Sequence, residues 1–197
     1  MRRVSAIALV LLFWVLPQAN AETIWSDGFE SGDFSLWTSA GPNWATSGGN
    51  THSGAKRAQI VGSAQEDSSL VLANSLAGYK DIQLNYWYRI YDGLEVADFL
   101  YVEWTPNGAD WQQLVFYNNL ASSVDWHNAS FDLPDLADNN PLFQLRLRAN
   151  LSAGSDVVYF DDFQLSGALV PEPSCVWLFV CGFLAICAFG RKIATRT

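Results

Sequence analysis

The residues in this 197-residue chain with the chemistry to act on another molecule are its acids and its flat rings. Histidine occurs only at His52 and His127. Neither sits in a nucleophile elbow or a zinc-ligand pair. No cysteine lies between residues 22 and 170. Glu95, Asp98 and Glu103 crowd together in sequence, but an odd separation turns Asp98 and Glu103 to opposite faces of a regular strand. No Glu-x-Asp-x-x-Glu spacing of the kind retaining glycosidases use occurs. Carboxylates facing each other across strands would leave an inverting polysaccharide hydrolase open. The expectation is that the chain is not an enzyme.

The rings point to recognition instead. Seven tryptophans lie between residues 22 and 170. A sugar ring lays its C–H face on an aromatic ring while amides, acids and guanidinium groups bind its hydroxyls. In 80–91, Trp87 and Tyr91 alternate onto one face with Gln83, Asn85 and Arg89. In 142–150, Gln144, Arg146 and Arg148 do the same. If these segments share a sheet, Trp87, Arg89, Tyr91, Arg146 and Arg148 line one polar-aromatic groove for a glycan. The plainer alternative is that Trp87 packs under a loop and Arg89 pairs with an exposed acid.

Strands must position these side chains, because alternation of two recurs along the body and no helical period does. In 80–91, Ile82, Leu84, Tyr86, Tyr88 and Ile90 form the opposite, apolar face. In 142–150 the apolar set is Phe143, Leu145, Leu147 and Ala149. Segments 98–104 and 111–117 flank Pro106-Asn107-Gly108, a hairpin signal. The last strand is 157–165, and weaker candidates are 23–29, 57–61, 70–76 and 123–133. This spacing predicts an all-β fold, a two-sheet antiparallel sandwich spanning 22–169.

That body is acidic, with six Lys and Arg against nineteen Asp and Glu over 22–170. Such a charge argues against nucleic acid and anionic membrane surfaces as partners and suits cation binding. Without cysteines it has no disulfide framework.

Both ends carry addresses. Arg2 and Arg3, an apolar stretch over 4–16, Pro17 and small residues at Ala19 and Ala21 read as a secretory signal peptide, 1–21. At the other end, Val170, Pro171, Glu172, Pro173 and Ser174 lead into the apolar run 175–190, then into Arg191 and Lys192. As a transmembrane helix that run measures about 24 Å, somewhat short of a ~30 Å bilayer core. Cys175, Cys181 and Cys187 fall about 120° apart around it and share no face.

The order of proline motif, apolar span and basic tail over 170–197 resembles the PEP-CTERM sorting signal of Gram-negative bacteria that make exopolysaccharide. The resemblance implies an exosortase-type membrane protease as partner, a precursor held in the inner membrane, and a product at the cell surface or outside the cell. In the body, Asp27-Gly28-Phe29-Glu30-Ser31-Gly32-Asp33-Phe34, His52-Ser53-Gly54-Ala55-Lys56, Tyr101-Val102-Glu103-Trp104 and Tyr159-Phe160-Asp161-Asp162-Phe163 resemble, in order, stretches of secreted bacterial jelly-roll modules of the concanavalin A-like, MAM-like and carbohydrate-binding kinds. The carbohydrate-binding members imply a structural calcium ion tying the first strand to the last. Here it would be held by Glu30, Asp161 and a backbone carbonyl near Gly28, with another from 50–55. The functional expectation is a non-catalytic exported protein of adhesion or matrix structure, with a carbohydrate-binding module for exopolysaccharide as the alternative.

Overall fold

The computed structural model of the chain describes residues 21–62 and 67–170. Among them, eleven strands form two antiparallel sheets. They are β1 (Ala21–Asp27), β2 (Ser39–Ala40), β3 (Trp44–Gly48), β4 (Lys56–Val61), β5 (Ser68–Ala73), β6 (Tyr79–Ile90), β7 (Phe99–Thr105), β8 (Gln112–Tyr117), β9 (His127–Asp132), β10 (Gln144–Asn150) and β11 (Val157–Leu169). The first sheet runs β3-β4-β11-β6-β9, and the second runs β2-β5-β10-β7-β8. β11 pairs with β6 along one edge. Its other edge takes β4 at Val157–Phe160 and then β1 at Phe163–Ala168.

Alternation fixes which side chains meet between the sheets. From β6 come Ile82, Leu84, Tyr86 and Ile90; from β7, Leu100, Val102 and Trp104; from β10, Leu145, Leu147 and Ala149; all are buried. Each large apolar side chain so buried contributes roughly 1.5–3 kcal/mol, which lets a body without disulfides hold two sheets together. A polar pair in the middle is self-satisfied: the Tyr86 and Tyr117 hydroxyls lie 2.9 Å apart. Burial raises both phenols well above their ordinary range, so both stay neutral.

The two-sheet sandwich agrees with the expectation, and several details correct it. β2 and β3 carry no period-two signal in sequence. β10 starts at Gln144, two residues later than expected, and β11 runs on to Leu169. The largest correction concerns the groove. β6 and β10 belong to different sheets, so Trp87, Arg89 and Tyr91 sit on the opposite outer face from Arg146 and Arg148. No single groove joins them. The expected signal peptide and C-terminal span lie outside the described residues, apart from Ala21 and Val170. Among the described residues no helix is long and apolar enough to cross a membrane.

Candidate functional site

On the outer face of the first sheet the register brings Arg89 beside Tyr159 and Trp87 beside Asp161. These rings are already occupied. The His52 imidazole stacks on Trp87 with centroids 3.9 Å apart and planes 14° from parallel, and it meets Trp126 edge-on at 5.8 Å. Tyr159 carries the Arg57 guanidinium 3.6 Å from its centroid and Tyr91 stacked at 4.8 Å. Arg57 is only 3% exposed. It donates Nη1 to the Ser47 and Gly48 carbonyls and Nη2 to Gln59, and its Nε has no hydrogen-bond partner. Arg89 donates Nε to the Ser123 carbonyl at 2.8 Å. Trp87 therefore does pack under a loop, while Arg89 is spent on a carbonyl and, among the described residues, on no acid.

The loop that covers Trp87 is latched by the residues expected to hold calcium. Asp161 is fully buried and accepts the His52 and Ser53 amides on Oδ2 at 2.9 and 3.3 Å and the Asp162 amide on Oδ1. Asp162 accepts the Ser53 hydroxyl at 2.7 Å and lies 2.6 Å from His52 Nδ1. Glu30 accepts the amides of Ala55 and Lys56 at 2.9–3.0 Å. A Cβ at Gly54 would collide with the Glu30 carboxylate, which explains the glycine in that motif. Backbone geometry sets both acids: the neighbouring Phe29 and Asp162 adopt φ of 59° and 48°, and a residue as bulky as Phe29 holds that conformation only when its surroundings enforce it. Phe29 is held by the core and by the hydrogen bond its amide donates to Asp27 Oδ1 at 2.7 Å. Burial, then the neighbouring Asp162 charge, pushes the Asp161 carboxyl up to about 6.

A calcium cage needs six to eight oxygens converging on one point. Here Glu30 and Asp161 face positively polarised N–H groups from two different parts of the loop. Gly28 sits against Asp162, where an added Cβ would come 3.2 Å from its Oδ1. This donor set fits an amide-to-carboxylate latch better than a cation cage. Among the described residues the three acids that do converge are Glu95, Asp98 and Asp156, with oxygens within 4.8 Å of one another. They also staple loops: Asp98 accepts the Glu95 and Ser152 amides, and Asp156 accepts the Ala153 amide. The hydrogen bond to Asp98 raises the Glu95 carboxyl.

The outer face of the second sheet is built differently. Glu103 on β7 is nearly buried, and its Oε2 receives Arg146 Nη2 at 2.7 Å, Arg146 Nε at 2.9 Å and Arg148 Nε at 3.4 Å. Arg148 also reaches Asp67 at 3.6 Å, so two cations meet two anions. The guanidinium of Arg146 lies 3.9 Å over the ring of Trp111, and that of Arg148 4.8 Å from Tyr101. Tyr101 stacks across strands on Phe116 at 4.6 Å, and Phe116 is 42% exposed. Here rings, guanidinium groups and a carboxylate lie in one strip along β7, β8 and β10, the rings touched by other side chains of the strip itself. Sequence reasoning named Arg146 and Arg148 for this work but missed Glu103, Tyr101, Trp111 and Phe116. The alternation of Tyr101 and Glu103 against Leu100, Val102 and Trp104 was the available signal.

No protein-family model and no curated protein matches the chain. Solved structures with a similar fold do. TmCBM61, determined in complex with β-1,4-galactotriose, matches with TM-score 0.53 and 19% identity over 70% of this chain and 92% of its own. The CBM22-2 xylan-binding domain of Xyn10C from Paenibacillus barcinonensis matches at 0.51 and 15%, over 74% and 99%. The K1 cleaved adhesin domain of Lys-gingipain from Porphyromonas gingivalis W83 matches at 0.53 and 15%, over 74% and 97%. The fold is thus that of carbohydrate-binding and adhesin β-sandwich domains.

Proposed function

We propose that this chain is a non-catalytic glycan-binding protein whose binding surface is the outer face of the second sheet. The carrying observation is the strip of Trp111, Arg146, Glu103, Arg148, Tyr101 and Phe116. It combines rings for stacking with charge-balanced donors and acceptors for hydroxyls, all on strands except Trp111, which directly precedes β8. Glu103 is engaged by two guanidinium groups, which fix its orientation toward a hydroxyl. The similar folds solved with galactotriose and as a xylan-binding domain support the same reading. The adhesin domains support a surface role. On this reading residues 1–21 export the domain 22–169, and the tail 170–197 hands it through the inner membrane to an exosortase-type protease. The ligand is then an exopolysaccharide of the cell's own surroundings.

The test is a glycan array with the purified full chain, followed by titration of whatever binds. Tyr101→Ala is expected to weaken binding about tenfold, or ~1.4 kcal/mol, with little change in melting. A chain that binds nothing on the array, or binds as well without Tyr101, removes the proposal.

A further inference from the structure

The strip does not end in open solvent at every point. Along β10, Arg148, Arg146 and Gln144 follow one another on the same face, about 7 Å apart at ~3.4 Å per residue. At Gln144 the flat sheet gives way to a recess of about 230 Å³ lined by Asn74, Ser75, Asn107, Pro141, Leu142 and Gln144, among others. Three loops form it. They are tied to one another: Asn140 donates Nδ2 to the Pro106 and Leu136 carbonyls, the Leu76 amide donates to the Asn140 carbonyl, and the Asn74 amide donates to the Phe143 carbonyl. The Asn107 side chain is itself fixed, its Oδ1 accepting the Ala109 and Asp110 amides. The recess is therefore formed before any ligand arrives, which lowers the ordering cost of binding.

Its chemistry differs from that of the strip. None of its lining residues is charged. The side chains are amides, a hydroxyl, and the apolar surfaces of Pro141 and Leu142, the last 63% exposed. That mixture suits a neutral sugar, with hydroxyls to Asn74 and Gln144 and C–H edges to the apolar wall, while Asn107, whose Nδ2 is given to Asp110, serves as a fixed side. The volume lies below the ~300–1,000 Å³ of sites for drug-sized ligands, so it admits one ring. A flat face can take the middle of a glycan, whereas a one-ring recess at the end of that face takes its terminus.

We infer that the protein reads the end of a glycan chain, seating a neutral terminal sugar in the recess while the following units lie along Arg146, Glu103 and Arg148. This rests on the glycan-binding reading above, and the experiment separates the two. The full chain is titrated calorimetrically with size-fractionated β-1,4-galactan and β-1,4-xylan, alongside any glycan the array finds. Reading a terminus gives one binding site per glycan chain whatever its length. Ser75→Trp, which fills the recess from an exposed position, is then expected to weaken binding at least about tenfold, with circular dichroism unchanged. Leu142→Asp serves as a second, independent block. Sites that multiply with glycan length, or full binding by both variants, overturn the inference and leave glycan binding standing. No binding to any probe removes both.

Discussion

The two outer faces of the sandwich draw on the same kinds of side chain, aromatic rings and arginines, and put them to opposite uses. On the first sheet two rings have lids, His52 on Trp87 and Arg57 with Tyr91 on Tyr159. The guanidinium groups there go to backbone carbonyls and an amide, as glue for loops. On the second sheet the guanidinium groups go to a carboxylate and lie against rings of the same strip, Arg146 over Trp111 and Arg148 beside Tyr101. An aromatic residue on an outer strand face thus says little about binding until its covering residues are known. What distinguishes the faces is the loop 49–55, latched over one of them by three carboxylates.

The sharpest way to break this contrast is Trp87→Ala. Removing the ring beneath His52 should unseat the latched loop and cost about 3 kcal/mol in denaturant unfolding, while glycan affinity stays within twofold of the parent. Affinity lost at unchanged stability would reverse the roles of the two faces. Glu103→Gln comes next, since it leaves Arg146 and Arg148 sharing an acceptor that carries no charge. A loss of about 2 kcal/mol in stability is expected, together with weaker glycan binding, read by the same unfolding and titration measurements.

A smaller effect distinguishes the latch by pH. Asp161 holds its proton more tightly folded than unfolded, because its carboxyl is raised to about 6. Its contribution to stability is therefore complete below the ordinary carboxylate range and is lost as pH rises through about 6. Melting midpoints of the parent protein should fall between about pH 4 and 6 more steeply than those of Asp161→Asn, and equal slopes would exclude Asp161 as the source. The smallest expected effect concerns metal. EDTA should leave the melting midpoint within about 1 °C, since a ligand bound only to the folded state would otherwise raise it. A drop of several degrees would instead establish a bound cation, at the Glu30 and Asp161 latch or at the Glu95, Asp98 and Asp156 cluster.

Much of the fold was legible because burial imposes a period of two. Ile82, Leu84, Tyr86 and Ile90 announced both β6 and its inward side. Trp44–Gly48 did not announce β3, being short, with small residues after Trp44 and no alternation. Alternation separates inside from outside but does not say which sheet a strand joins. That is why a groove shared by β6 and β10 could only be conditional: β6 lies between β11 and β9, and β10 between β5 and β7. The site was less legible for a related reason. The His52 ring on Trp87 and the Glu103 carboxylate between Arg146 and Arg148 join residues 35 to 45 positions apart, and nothing in local sequence fixes that register.

The position of β11 has a mechanical consequence. This thirteen-residue strand ends at Leu169, is hydrogen-bonded along both edges, and the Val170 amide is still tied to the Gly78 carbonyl. A pull on the chain beyond residue 170 acts along the strand axis. It loads the whole ladder in shear, so many bonds must give way together and not one after another from a frayed end. Residue 78 is also only a few positions from Asn74 and Ser75 in the recess, so tension between a seated ligand and the tail would cross a short stretch of the domain.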